Sequence, residues 1–415
     1  MKILHVIASL APRYGGPSVA CPALCRELAR RGHQVSIFTT NVDGNRLLDV
    51  PLDCPVIDQG VEIRFFPGYT HPLEYKPSPA LWRALREKIP SVDLVHIYSM
   101  YIFSATATAH LCRKLRVPYL LHPHGCLDPY LLRRHVVRKW FYSLLFERRN
   151  FNHAAAILFN SPEEMRLAAP WLDRVLLSNS GHRAPRRDVV YVGVEQAYLT
   201  RQPSHARERF RRKFPELAGR RIVLFFGRLS FKKGMDILAQ AFIQVAQKLQ
   251  NVHLVLAGPD TEGYGARVRD WLKAAGVLEM ATFTGPLAGD DRFIALQEAE
   301  VFVLPSYSEN FGQSVAEAMA SGVPVVISNR VNIWPAVEEV GAGLVVPCDP
   351  RQTAQALLAL LENPDLGKRM GSRGRQLVEE RLNSDLITEQ MLRLYAEIAN
   401  REAVGSHTVE ERAIS

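Results

Sequence analysis

The sequence predicts two α/β domains, each built on a mostly parallel sheet. Three observations carry this. The chain has 415 residues, more than one ordinary domain needs and comfortable for two. Short apolar runs alternate with amphipathic helical runs, the order of βαβ units. The alternation then starts afresh near residue 222.

In the first half, strands are expected at residues 3–7, 35–40, 62–66, 94–98, 119–122, 156–159 and 189–192. A helix over 19–31 separates the first two. The βαβ alternation of these runs implies a mostly parallel sheet covered on both faces. In the second half, strands are expected at 222–226, 253–257, 281–284, 301–304, 324–327 and 343–346. Helices over 235–249, 265–275, 291–298, 313–321 and 351–361 lie between them. The reading is two Rossmann-like domains of similar size, 1–195 and 196–383. A linker falls at 196–205 and a basic helix at 206–213. A final helix over 384–400 could pack on either domain, the first included, and 401–415 reads as a loose polar tail.

The chain is 47% hydrophobic and 22% charged, ordinary for a globular protein with full cores. No window offers 18 consecutive apolar residues, so no transmembrane helix is expected. The first residues open directly on a strand-like run, which predicts no signal peptide. Six cysteines without a Cys-x-x-Cys pair predict neither a disulfide framework nor a zinc site, and fit a reducing cytoplasm. Cys21 and Cys25, at i,i+4 on the first helix, read as packing.

Net charge is +9, unevenly spread. Residues 1–195 hold 25 Lys and Arg against 16 Asp and Glu, while 196–415 hold 26 of each. A basic first half attracts nucleic acids, anionic membranes or phosphorylated substrates. No nucleic-acid motif accompanies it, so a membrane surface or lipid-phosphate acceptor is favoured. Residues 131–151 mix six Lys and Arg with Trp140, Phe141, Leu144 and Leu145. That composition suits a membrane-interface helix, or an ordinary helix covering the first sheet.

Four motifs carry chemistry. Gly15 and Gly16 lie between the first strand and first helix, where backbone N–H groups hold phosphate; a plain turn explains them equally. No Gly-x-Gly-x-x-Gly appears, which disfavours a dinucleotide-dependent dehydrogenase. His122-Pro-His124-Gly125 ends an apolar strand, where open α/β sheets bind ligands. His124 there can contact a sugar hydroxyl or a phosphate, or simply stabilise the turn; His122 and His96 read more as structural. Arg228 and Lys233 flank the loop after the 222–226 strand and can converge on a diphosphate leaving group. Glu309 and Glu317 bracket Asn310-Phe311-Gly312-Gln313-Ser314, which runs from a strand into a helix. Glu309 can accept from sugar hydroxyls and Glu317 from ribose hydroxyls, with the helix start facing phosphate. An acid among Val315, Ala316, Ala318 and Met319 needs partners, which argues against Glu317 as a plain surface residue.

In this order, over residues 2–400, the motifs resemble glycosyltransferase family 4, the retaining group 1 transferases. The resemblance implies a GT-B fold of two Rossmann-like domains facing each other across a cleft. It implies a nucleotide-diphosphate sugar donor bound mostly by the second domain, no cofactor and no metal. It puts Gly16 on the donor diphosphate and His124 at the reacting centre. Arg228 and Lys233 would clamp the diphosphate, Glu309 the sugar and Glu317 the ribose. Gly258, Thr284 and Gly285 would border base and ribose, and Asn310, Phe311, Gly312 and Ser314 complete the donor site. The acceptor would be a glycan or polyprenyl-linked, in cell-surface polysaccharide synthesis, with cytoplasmic protein reaching the inner membrane face and no nucleic-acid partner. Two departures stand out: Val192-Gly193-Val194-Glu195 replaces Asn-Gly-Val-Asp, and residues 177–188 form a longer basic loop. A GT-B-like epimerase and a non-catalytic carbohydrate-binding protein are the competing classes.

Overall fold

The computed structural model describes residues 1–69, 75–176 and 184–413, with side chains to residue 400. Two compact units emerge, Met1–Gly193 with Ser384–Ser415, and Val194–Asn383.

The first unit holds strands β1 (Lys2–Ser9), β2 (Gln34–Thr40), β3 (Pro55–Asp58), β4 (Val61–Phe66), β5 (Leu94–Tyr98), β6 (Tyr119–His122), β7 (Ala156–Phe159) and β8 (Arg186–Val189). They form one sheet in the order β8-β7-β6-β5-β1-β2-β4-β3. Only β3 runs antiparallel to its neighbour, as an edge hairpin with β4. Alternate side chains of β1 and β5 feed two cores. Leu4, Val6, Val95 and Ile97 face one. Ile3, Ile7, Leu94 and Tyr98 face the other, and the final helix covers that side with Ile387, Met391, Leu394 and Tyr395.

That helix runs Ser384–Ala413, so the segment expected as a loose tail continues the helix through residue 413. Helix growth adds one hydrogen bond per residue once a packed turn exists, and residues 387–398 supply that nucleus. The strand expected at 189–192 lies earlier, at Arg186–Val189. The expected basic loop at 177–188 falls partly outside the described residues, and its last residues are that strand.

The second unit holds β9 (Arg221–Phe226), β10 (Val252–Ala257), β11 (Ala281–Gly285), β12 (Val301–Leu304), β13 (Val325–Ser328) and β14 (Gly343–Val346). Their order is β11-β10-β9-β12-β13-β14, all parallel. This is the doubly wound order, and the chain changes direction across the sheet between β9 and β12. Ligands bind beyond the carboxyl ends of strands at such a point. The expected linker at 196–205 is partly helical, Gln196–Leu199 followed by the helix Ser204–Lys213. No described helix is long and apolar enough to cross a membrane.

Candidate active site

In the second unit, the loops after β9 and β12 meet at the switch point. Gly258 follows β10 beside Gly227, and a Cβ on Gly258 would lie 2.0 Å from the Gly227 carbonyl oxygen. Its glycine is therefore required by backbone packing, whatever role it has toward a ligand. Gly234 has φ +69°, and a Cβ there would lie 2.1 Å from the Pro305 carbonyl oxygen. This close approach brings the Lys232-Lys233 loop against the β12 loop, where the Tyr307 N–H donates to the Lys232 carbonyl at 2.9 Å. Glu309 is clamped from the far side. Its N–H donates to the Arg330 carbonyl at 2.9 Å, and its own carbonyl accepts from the Asn332 N–H at 3.0 Å.

The Lys233 ammonium and Glu309 carboxylate form an ion pair, with side chains 14% and 20% exposed. Burial works against the charge on Glu309. Lys233, Lys232 and Arg228 outweigh it and hold the carboxyl below the usual carboxylate range. Arg228 and Lys233, read in the sequence as a pair, and Glu309, read apart from them, are thus brought to one place. Asn310 follows, with a buried Oδ1 that has no hydrogen-bond partner among the described residues. Phe311 is buried. Gly312 has φ +95° and opens the helix Gln313–Ala320 without a side-chain cap.

Glu317 lies one turn into that helix, partly buried. Burial raises its carboxyl to about 7, against the lowering effects of Arg292, the Gln313 hydrogen bond and Tyr198. Arg292 is itself paired with Glu195 at 3.2 Å. The departure at 192–195 therefore places Glu195 next to Arg292, in the electrostatic surroundings of Glu317. Arg292 and Tyr198 were not singled out from the sequence. Nothing in their spacing links them to Glu317, since they come from separate helices. Thr284 donates its hydroxyl to the Gly285 carbonyl at 2.8 Å, and a Cβ on Gly285 would meet nothing within 4 Å. Ser314 is partly buried in the first turn of the Gln313–Ala320 helix.

In the first unit, the turn after β6 puts His124 at φ +51° and Gly125 at φ +78°. A left-handed histidine is strained, and the surroundings fix it. Glu164 accepts from the N–H of Gly125 and from that of Asn160, each at 2.6 Å. Asn160 donates from Nδ2 to His124 Nδ1 at 3.2 Å. The rest of the chain follows from that polarity. His122 donates from Nε2 to Asn160 Oδ1 at 3.0 Å, and its Nδ1 accepts from His96 Nε2 at 3.1 Å. His96 Nδ1 accepts from the Tyr395 hydroxyl at 2.6 Å. With this amide orientation the His124 proton sits on Nε2, a buried atom without a partner among the described residues. Burial pushes His124 down to about 3 and pushes His96 and His122 well down too, so all three rings are neutral. His96 and His122 are buried links of this chain, as their structural reading expected. Asn160, Glu164 and Tyr395 were missed. A polar residue directly after a buried strand could have flagged Asn160; Tyr395 carries no local signal.

Gly16 opens the first helix, with Gly15 at φ +72° before it. A Cβ on Gly16 would meet nothing within 4 Å. Cys21 and Cys25 are buried beside His5, and the three ligand-type atoms lie within 4.8 Å of one another. The i,i+4 cysteine pair is thus part of a thiol and imidazole cluster facing β1.

Two Rossmann-like units, the second with cations and a carboxylate at its switch point, define a GT-B glycosyltransferase. Residues 206–377 match the model described as glycosyl transferases group 1, and residues 15–176 match the glycosyl transferase 4-like domain. The chain belongs to this family, the group 1 glycosyltransferases of family 4. An uncharacterised glycosyltransferase of Methanocaldococcus jannaschii is 24% identical, covering 95% of this chain and 98% of that protein. A GDP-mannose-dependent alpha-mannosyltransferase of Mycolicibacterium smegmatis is 28% identical, covering 84% and 85%. Among solved structures, Anabaena HepE in complex with UDP and glucose superposes with a TM-score of 0.74 at 19% identity, covering 96% of this chain and 100% of that one.

Proposed function

We propose that the protein is a retaining glycosyltransferase that moves a sugar from a nucleotide-diphosphate sugar to a glycan or polyprenyl-linked acceptor. The setting is cell-surface polysaccharide synthesis, in the cytoplasm at the inner face of the membrane. The observation that carries the reading is the convergence of Arg228, Lys232 and Lys233 on Glu309 beside the uncapped start of the Gln313–Ala320 helix. Without donor, Lys233 and Glu309 satisfy each other. With donor, Lys233 and Arg228 turn to the diphosphate and Glu309 accepts from sugar hydroxyls. Fixed cations and helix N–H groups stabilise negative charge as it grows on the leaving group, so no metal and no cofactor is needed. Glu317 holds the ribose. Thr284, Gly285 and Ser314 border the nucleotide, and the open space at Gly16 admits phosphate. His124 donates from Nε2 to a sugar hydroxyl. A diphosphate oxygen then takes the acceptor proton, and substitution occurs on the same face. The names of relatives support the donor class, since one carries UDP and glucose in its crystal and another uses GDP-mannose by name.

The test is nucleoside diphosphate release from UDP-, GDP-, ADP- and dTDP-sugars with EDTA present, with proton NMR of the first sugar released. The proposal expects release from one donor in EDTA, with the donor's anomeric configuration kept. Release that needs a divalent metal, or an inverted anomer, contradicts it. Lys233→Ala should lower the rate by about 10²-fold or more, the usual cost of losing one such charge.

A further inference from the structure

Half of the exposed large apolar side chains among the described residues lie between residues 136 and 146. Val136, Val137, Trp140, Phe141, Leu144 and Leu145 are each more than half exposed, Val137 the most at 70%. Their spacing, i, i+1, i+4, i+5, i+8 and i+9, makes one continuous stripe on a helix. The helix Val136–Tyr142 runs on through a wider turn, Ser143–Glu147, into Arg148–Asn152. The stripe is about 15 Å long at 1.5 Å per residue.

The inward side of this segment is polar. The Tyr142 hydroxyl bonds Thr106 at 2.5 Å, Ser143 bonds the Tyr101 hydroxyl at 3.1 Å, and Glu147 accepts from the Tyr101 N–H at 2.6 Å. Lys139 donates to the Leu131 carbonyl at 2.5 Å. The usual arrangement of a helix on a globular unit is therefore inverted, with hydrogen bonds toward the protein and aliphatic and aromatic groups toward solvent. The ends are basic. Arg133, Arg134 and Arg138 lie before or on the helix, and Arg148 and Arg149 follow the stripe. Glu147, the only acid in 129–152, is buried.

We infer that this face of the first unit inserts into the headgroup region of an anionic lipid bilayer. An apolar stripe bounded by cations matches such an interface in both its terms, hydrocarbon burial and attraction to lipid phosphate. A second copy of the chain is a poorer occupant. A two-fold contact through the stripe would bring two arginine-flanked stripes together, and residues 129–152 offer those cations no exposed acid. The inference holds whichever sugar is moved.

The test is co-sedimentation of the full chain with vesicles of phosphatidylcholine, and with vesicles containing roughly one third phosphatidylglycerol. Binding is expected only with the anionic lipid, and is expected to weaken with added salt. Trp140→Ser with Leu145→Ser should reduce binding by about tenfold or more. Arg133→Glu with Arg149→Glu should do the same, since each cation near an anionic surface is worth about fivefold. All four side chains are largely solvent-facing, so thermal midpoints should hold and exclude misfolding as the cause. Trp140 fluorescence should be quenched by brominated lipid, and Trp140→Phe should lose that quenching while keeping the binding. No binding to anionic vesicles, or unchanged binding by both double variants, overturns the inference. So does a dimer in sedimentation velocity that the Trp140 and Leu145 pair abolishes while vesicles capture nothing.

Discussion

Glu317 is the residue at which physical chemistry gives the sharpest expectation. Its carboxyl stands at about 7, raised from 4.5 by burial. Ribose hydroxyls are better bound by the ionised form. Nucleotide-sugar affinity should therefore increase as pH rises from 6 toward 8, with the slope flattening above 7. A nucleotide sugar's own diphosphate does not titrate in that range, and Glu317→Gln should remove the slope in isothermal titration. Stability without ligand should run the opposite way. Burial raises Glu147 and Glu164 to about 7 as well. A carboxyl whose folded value is raised contributes stability that is complete below its unfolded value and is lost as pH rises through 7. Each such group is worth on the order of 1–3 kcal/mol. His124 differs, since burial keeps it neutral at about 3 and leaves it a hydrogen-bond donor throughout. The sequence made Glu317 legible, because an acid between Ala316 and Ala318 needs a reason. It hid Arg292, Tyr198 and Asn160, because side chains brought together from separate elements leave no spacing to read.

At the scale of elements, the turns that end strands decide what the site can hold, and two glycines separate folding from binding. A Cβ on Gly312 would meet Val331 at 2.6 Å with φ at +95°. Gly312→Ala should lower stability by about 1–3 kcal/mol in thermal or urea unfolding. A Cβ on Gly16 meets nothing, so Gly16→Ala should keep the unfolding midpoint and still slow sugar transfer, as the methyl group occupies the space phosphate needs. An unchanged rate for Gly16→Ala would remove phosphate from that turn. Buried parallel strands were legible almost to the residue, since β5, β6, β7 and β12 are short, largely apolar runs with clear ends. The antiparallel edge β3 was missed. It starts on Pro55 and alternates only over four half-exposed residues, a pattern that also suits a loop. The left-handed His124 was equally unreadable, because its conformation is imposed by Glu164 and Asn160 from a different strand and helix.

Across the whole molecule, the doubled βαβ pattern makes two units legible, and the excess positive charge falls in the first half of the sequence. The return of the final helix to the first unit was open in the sequence. Its apolar face would fit any sheet, and its place is decided by Tyr395 reaching His96 and by Asp385 meeting Arg30 and Arg31. On the proposed function, the second unit binds a nucleoside diphosphate without metal. Thermal unfolding against UDP, GDP, ADP, dTDP and NAD in EDTA, for wild type and Glu317→Ala, tests it most directly. A ligand at 100 times its dissociation constant stabilises the fold by about 2.7 kcal/mol. One nucleoside diphosphate should raise the wild-type midpoint, and Glu317→Ala should lose the shift. A shift with NAD alone, or none with any nucleoside diphosphate, would contradict it.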